Sequence, residues 1–293
     1  MQNLMMPRED TWGIMNLQNC ILHIAQYIDD LCEKNGIEYC LMGGSALGAV
    51  RHKGFIPWDD DLDIFMTPDE YEKFRVAYSK DDLKKDFYLQ EWGQKDGMVT
   101  LAKLRKNEST LIEKDLESWD IHQGVYVDIF ILHTCPDNKI KRTWQFVWAK
   151  YLVAKGAANR GYNQKKGLLG FAIKCLRLFP QRFLLGFALK QVYRYRNSES
   201  EYLCHFMGRA MMRTGLYKRS YFSAMKKVQF ESLELYVPEK VEEYLHDRWG
   251  DYMKLPSAEE IKKFQHSWKW SEHEVFPGYK TNNDYCDEQF LLA

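Results

Sequence analysis

Residues 43–64 read GGSALGAVRHKGFIPWDDDLDI, and four carboxylates fall within five positions: Asp59, Asp60, Asp61 and Asp63. Asp is disfavoured in strands and like charges repel, so such a cluster costs stability unless something compensates it. A divalent cation with a bound phosphate is the compensation that fits, which points to phosphoryl or nucleotidyl transfer. If residues 61–66 form a strand, alternation sends Leu62 and Ile64 to the core and puts Asp61 and Asp63 on the opposite face, their Cα atoms roughly 6.5–7 Å apart. Two carboxylates at that spacing can converge on one magnesium ion, with manganese the alternative. Such an ion keeps some waters and takes its remaining ligands from phosphate.

A third ligand must come from elsewhere in the chain. Asp128 is a lone charge between Val127 and Ile129 in the run GVYVDIFIL, residues 124–132, and a purely structural strand rarely carries one there. Asp59 and Asp60 flank the strand and read as supporting or structural. The Gly43-Gly44-Ser45 turn supplies the anion side: glycines let backbone N–H groups approach a phosphate, and a helix beginning at Ser45 or Ala46 would point its positive end at it. Arg51, His52 and Lys53 lie between the turn and the carboxylates and could neutralise phosphate. Lys103 and Arg105 share one face of an expected strand and form a second cationic pair. A plain solvated surface is the competing reading for both basic groups.

The elements that must position these residues follow from periodicity and punctuation. Helical spacing of Leu17, Cys20, Ile21, Ile24, Ile28, Leu31 and Cys32 predicts a helix over 12–35, capped by Gly36. A strand over 37–42 feeds the glycine turn. Thr67-Pro68-Asp69-Glu70 combines a capping box with Pro in the first helical position. Strands are expected near 87–92, 98–105, 124–132 and 228–236, and Pro238 is expected to open a helix ending near Gly250. The fold class is α/β (α+β): a mixed-sheet core with flanking helices and a mostly helical basic insertion. The expected divisions are a catalytic core over 1–137, a basic helical region over 138–198, and a C-terminal part over 199–293 packing on the core.

Formal net charge is zero, yet residues 138–198 hold fourteen Lys and Arg and no Asp or Glu, leaving 41 acidic against 27 basic residues elsewhere. A segregated block of this kind concerns partners more than fold. Stretches such as KKGLLGFAIKCLRLF and QRFLLGFALKQVYRYR suit a helix lying on an anionic membrane surface, a contact with a polyanionic glycan, or core helices with a solvated basic face; nucleic acid is the least favoured partner. The chain of 293 residues is 45% apolar and 15% aromatic, which excludes a disordered class. No secretory signal is evident, and the longest apolar runs, about seven residues, fall far short of the ~20 needed to span a bilayer. The seven cysteines are scattered without a C-x-x-C pair. They read as small core hydrophobes in a reducing compartment, which suggests a cytoplasmic location, peripheral on the inner face of a membrane.

LGAVRHKGFIPWDDDLDI, with YEKF (71–74), KLRK (103–106), GVYVDIF (124–130) and WGDYMKLP (249–256), resembles the LicD/fukutin family of the nucleotidyltransferase superfamily. The resemblance implies that Gly44, Ser45, Asp61, Asp63 and Asp128 occupy the superfamily's signature positions. It also implies a Mg-dependent transferase moving phosphocholine from CDP-choline, or the phospho-alcohol of another CDP-alcohol such as CDP-ribitol, onto a teichoic acid or lipopolysaccharide sugar that can be lipid-linked, with release of CMP. Choline would require an aromatic cage, and Trp58 lies beside the acidic cluster. Many relatives read Gly-Thr where this chain has Gly44-Ser45, which keeps a hydroxyl. Many read DIFPLD where this chain reads DIFILH, so His133 stands in place of the last Asp. Two other classes stay open: a nucleotidyltransferase acting on a small molecule or RNA with pyrophosphate release, and a non-catalytic binding module with a relic site.

Overall fold

The computed structural model of the protein describes residues 10–91, 101–113, 116–117, 121–159, 181–208, 210–261, 267–274 and 276. The chain opens with α1 (Met15–Asn35), whose residues Leu17, Ile21, Ile24, Ile28 and Leu31 are buried at helical spacing; Gly36, at φ 61°, closes it by donating to the carbonyls of Cys32 and Glu33. Then come β1 (Cys40–Leu41), α2 (Gly43–His52), the acidic loop, β2 (Asp63–Met66) and α3 (Pro68–Lys80). Thr67 caps α3, its Oγ1 accepting from the Glu70 N–H at 3.3 Å. Next are β3 (Phe87–Gln90), β4 (Ala102–Lys106), β5 (Thr110–Glu113), β6 (Tyr126–Ile131) and β7 (His133–Cys135), followed by α4 (Lys139–Asn159) and α5 (Gln181–Tyr193). The chain continues through β8 (Tyr202–Cys204), β9 (Leu216–Lys218), β10 (Met225–Phe230), β11 (Leu233–Pro238), α6 (Val241–Trp249), α7 (Ala258–Ile261) and β12 (Ser267–Ser271).

The central sheet has the order β1-β2-β6-β4-β3. It is mixed: β2 and β6 run parallel, while the other neighbours are antiparallel. Strand β6 is buried at all six positions, which is why its sequence is a near-continuous apolar run without alternation. Helix α1 lays its apolar face on this sheet, and the β10–β11 hairpin and α6 join the same core through Phe230, Leu235, Val237, Tyr244 and Leu245. Each of these side chains contributes about 1.5–3 kcal/mol on full burial. The fold is mixed α/β around a mixed sheet, as the sequence implies.

Several elements differ from the reading by pattern. The strand expected over 37–42 contracts to two residues, and the one over 61–66 begins at Asp63, leaving Asp61 in the loop. Helix α2 starts at Gly43, not at Ser45 or Ala46. The strand expected over 228–236 is a hairpin that turns at Glu231, a non-glycine residue at φ 53°. Pro238 ends β11 rather than opening α6. Residues 98–100 of the expected strand over 98–105 lie outside the described residues, as do 160–180 of the basic block.

A second, smaller core unites α4 and α5 with β7 and β8 through Cys135, Leu152, Leu189, Val192, Cys204 and Phe206. Buried Gln145 ties this hairpin to the strand before it, its amide donating to the carbonyls of Thr134 (2.9 Å) and Val192 (2.8 Å). Cys20, Cys32, Cys40, Cys135 and Cys204 are buried free thiols, whereas Cys175 and Cys286 lie outside the described residues. No helix among the described residues is long and apolar enough to cross a membrane.

Candidate active site

Strand register brings the charged residues together. Across the parallel pair Asp63 sits opposite Asp128, and across the antiparallel pair Asp128 sits opposite Lys103. Three adjacent strands, about 4.8 Å apart, therefore carry a row Asp63–Asp128–Lys103. The row is fixed from behind: the Asp128 N–H donates to the Leu62 carbonyl at 2.9 Å, and the Asp63 N–H donates to Ser45 Oγ at 2.9 Å.

The acidic loop closes over one end. The carboxylates of Asp59, Asp60 and Asp61 each offer an oxygen within 4.8 Å of the others. The loop is held by Gln18 of α1, whose Nε2 donates to the Asp59 carbonyl (2.8 Å) and the Ile56 carbonyl (3.3 Å). Gly44 lets it approach α2, because a Cβ there would lie 3.0 Å from Asp59 Oδ2. Burial, then the charges of Asp61 and its neighbours, push the carboxyls of Asp59 and Asp63 well above the ordinary carboxylate range. Burial raises Asp128 as well, against the opposing pull of Lys103. This is an all-oxygen donor set with more negative charge than the surrounding side chains offset. Its chemistry suits a hard divalent cation; Asp59, Asp60 and Asp61 gather in the loop, while Asp63 and Asp128 stand side by side on β2 and β6.

Lys103 is almost fully buried. Its Nζ lies 2.9 Å from Asp128 Oδ1 and 3.4 Å from Glu113 Oε1, and 3.3 Å from the centroid of the Tyr126 ring. The Tyr126 hydroxyl donates to the same Glu113 oxygen at 2.9 Å. Burial alone would raise Glu113, but the charges of Lys103 and Arg105 with this hydrogen bond draw it down to about 2. Arg105 shares the face of Lys103, as alternation implies, yet turns inward: Nε donates to Gln90 Oε1 (2.9 Å) and Nη1 to the Gly124 carbonyl (2.8 Å).

The other expected phosphate ligands are placed differently. Ser45 is inside the first turn of α2 rather than its N-cap, and its hydroxyl accepts from Asp63. The Gly43 N–H donates to Tyr244 Oη at 3.0 Å. Arg51 points to the C-terminal segment, its Nη1 donating to the Tyr252 carbonyl (2.9 Å) and its Nε to His52 Nε2 (2.9 Å). Lys53 is exposed and closes α2 in the left-handed conformation, its carbonyl accepting from the Glu231 N–H at 2.7 Å. Trp58 is buried edge-to-face against Trp12 and His52, with ring centroids 6.1 Å and 6.3 Å apart. His133 is buried against Tyr193 (4.7 Å).

Sequence reasoning missed Gln18, Glu113, Tyr126 and Tyr244, whose roles depend on contacts between distant segments. For Asp59 the signal was present in its position beside Asp60 and Asp61.

The family model for the LicD/FKTN/FKRP nucleotidyltransferase domain matches residues 36–155. The chain is 28% identical over 265 residues to the lipopolysaccharide cholinephosphotransferase LicD of Haemophilus influenzae, a span covering 82% of this chain and 91% of that protein. It is 39% identical over 56 residues to the human ribitol 5-phosphate transferase FKRP, covering 19% of this chain and 11% of that protein. The mouse protein of the same name is 50% identical over 56 residues, again 11% of its length. The matched residues run from the end of α1 into α4 and enclose the acidic loop, the Asp63–Asp128–Lys103 row and Glu113, so over these residues the chain is similar to the LicD/FKTN/FKRP nucleotidyltransferase domain.

Proposed function

We propose that the protein is a Mg-dependent transferase that moves a phospho-alcohol from a CDP-linked donor to a hydroxyl of a cell-surface glycan, releasing CMP. Phosphocholine from CDP-choline is the favoured group, and lipopolysaccharide or teichoic acid sugars are the favoured acceptors. The observation that carries this reading is the carboxylate row of β2 and β6 under the acidic loop, in a chain similar over most of its length to a cholinephosphotransferase. Asp61, Asp63 and Asp128 would hold magnesium, or manganese in its place. When bound, the ion supplies charge neutralisation for the donor pyrophosphate.

The chain's own residues then position the reactants. Asp128 would complete the metal shell or take the proton of the acceptor hydroxyl, and Lys103 would hold that carboxylate in place. The acceptor oxygen forms a bond to the phosphorus bearing the alcohol while the bond from that phosphorus to the bridging oxygen breaks, and CMP departs. Positioning and charge neutralisation supply most of the catalysis in phosphoryl transfer. Lys53, exposed at the end of α2, is available to meet donor phosphate, whereas Arg51 and Arg105 act through the backbone they bind.

Similarity to FKRP favours ribitol phosphate as a second donor group, over a much shorter span. A melting-temperature screen with CDP-choline, CDP-ribitol, CDP-glycerol and nucleoside triphosphates in the presence of Mg²⁺ distinguishes them, because a ligand that binds the native state raises the midpoint by mass action. CDP-choline is expected to give the largest rise. Stabilisation by triphosphates alone, with pyrophosphate as product, would assign nucleotidyl transfer instead.

A further inference from the structure

Helix α4 turns an apolar stripe outward, away from its own core. Gln145, Ala149 and Leu152 are buried on its inner face. On the outer face Ile140, Trp144 and Val147 are 82%, 46% and 52% exposed, and half-buried Tyr151 extends the line at the spacing i, i+4, i+7, i+11. Helix α5 adds Phe187, 37% exposed, its ring edge-to-face with Trp148 at 4.9 Å. The stripe is ordered: Trp144 Nε1 donates to Gln191 Oε1 of α5 at 3.0 Å, and Arg194 Nη1 donates to the same oxygen at 3.3 Å. Large exposed apolar side chains gathered in one patch mark an interaction surface.

The surroundings of the patch are cationic. Lys139, Lys141, Lys190 and Arg194 are exposed on the two helices, and no acidic residue occurs anywhere in 138–198. Other basic groups of the block are already engaged: Lys150 donates to the Gly208 carbonyl at 2.8 Å, and Arg196 pairs with Asp69. Trp and Tyr favour the headgroup level of a bilayer, aliphatic side chains enter its acyl boundary, and Lys and Arg snorkel back to anionic headgroups. A soluble polyanion would use the charges but has no use for exposed Ile140 and Val147.

We infer that the outward face of the α4–α5 hairpin docks the protein on an anionic lipid bilayer, Ile140, Trp144, Val147 and Phe187 entering the interface and the surrounding Lys and Arg meeting lipid phosphate. This is peripheral attachment, and it is independent of which donor the active site uses.

Flotation of the full chain with phosphatidylcholine vesicles, with and without phosphatidylglycerol, tests it. Binding to the anionic vesicles is expected, weakened by salt. The triple variant Ile140→Ser, Trp144→Ser, Val147→Ser is expected to lower partition about tenfold or more while leaving the melting temperature and the turnover of a soluble acceptor unchanged. Replacing Lys139, Lys141 and Lys190 by Gln should remove most of the salt-sensitive part. Failure of the wild-type chain to float with anionic vesicles at low salt overturns the inference. So does undiminished flotation of the triple Ser variant, which would show that the apolar stripe does not enter the bilayer. A concentration-dependent dimer dissolved by the triple variant, without vesicle binding, would assign the face to a second copy of the chain.

Discussion

At the residue scale the site is an electrostatic contest between carboxylates that crowd one another and a single buried lysine. Lys103 bridges Asp128 and Glu113, so its removal leaves the buried Asp128 carboxylate without its cation, while half-buried Glu113 keeps the Tyr126 hydroxyl. Lys103→Met is expected to destabilise the protein by about 3–5 kcal/mol, because breaking a buried pair leaves charge uncompensated. Urea unfolding measures this; a change below about 1 kcal/mol would show that the lysine charge is not what holds the network. Asp128 was legible in the sequence because one charge in an apolar run demands a reason. Lys103 and Arg105 were correctly read as sharing a face, but their partners were not readable, since Glu113, Gln90 and Gly124 meet them only through tertiary contacts. Asp61 and Asp63 were expected to converge across a pleat. Instead Asp61 gathers with Asp59 and Asp60 in the loop, while Asp63 stands beside Asp128 in the sheet.

At the scale of elements, the approach of the acidic loop to α2 depends on one missing Cβ. Gly44→Ala places a methyl 3.0 Å from Asp59 Oδ2. The loop must retreat by a few tenths of an ångström, and Mg²⁺ affinity is expected to fall severalfold with little loss of stability. Calorimetric titration with Mg²⁺ checks this, and unchanged affinity would mean that Asp59 takes no part in the donor set. Helices were the legible elements, because 3.6-residue periodicity and the caps at Gly36 and Thr67 are local signals. The strands expected near 87–92, 98–105 and 124–132 are present as β3, β4 and β6; those that pair with distant segments were not legible. The β5–β12 pair joins Thr110–Glu113 to Ser267–Ser271, and β7 meets β8 across more than sixty residues of sequence. The β10–β11 turn escaped notice because Glu231 takes a left-handed conformation that Gly or Asn usually supplies.

At the scale of the whole molecule, acid sensitivity is built into buried histidines. His122, His133 and His205 are at most 3% exposed. Burial in each case, aided by Arg105 for His122 and by neighbouring basic groups for the other two, lowers them to about 2, 3 and 3. They stay neutral in the folded protein, whereas in the unfolded chain they bind protons near pH 6.5. Stability is therefore full above that value and falls as pH drops through it, by about 1.4 kcal/mol per pH unit for each histidine. The raised carboxyls of Asp59 and Asp63 act in the opposite sense over the same range, so the histidine contribution is read as a difference: between pH 6.5 and 5 the melting temperature of His133→Phe should fall less, or rise more, than that of the wild-type chain. Identical pH profiles would mean that His133 protonates in place. The mixed α/β architecture was legible at this scale from the alternation of helix and strand signals. The two cores were not, because the second depends on how α4 and α5 fold back onto β7.

The most direct test is CMP release from CDP-choline in the presence of Mg²⁺ and a glycan acceptor, compared between the wild-type chain and Asp63→Asn. Burial and neighbouring carboxylates already oppose ionisation of Asp63, so the amide should leave the melting temperature equal or higher without metal. Release of CMP by the wild-type chain should require the divalent ion, and the variant should lose it by a factor of about 10³ or more. Near-normal, metal-independent turnover by Asp63→Asn would contradict a carboxylate-held metal as the centre of this enzyme.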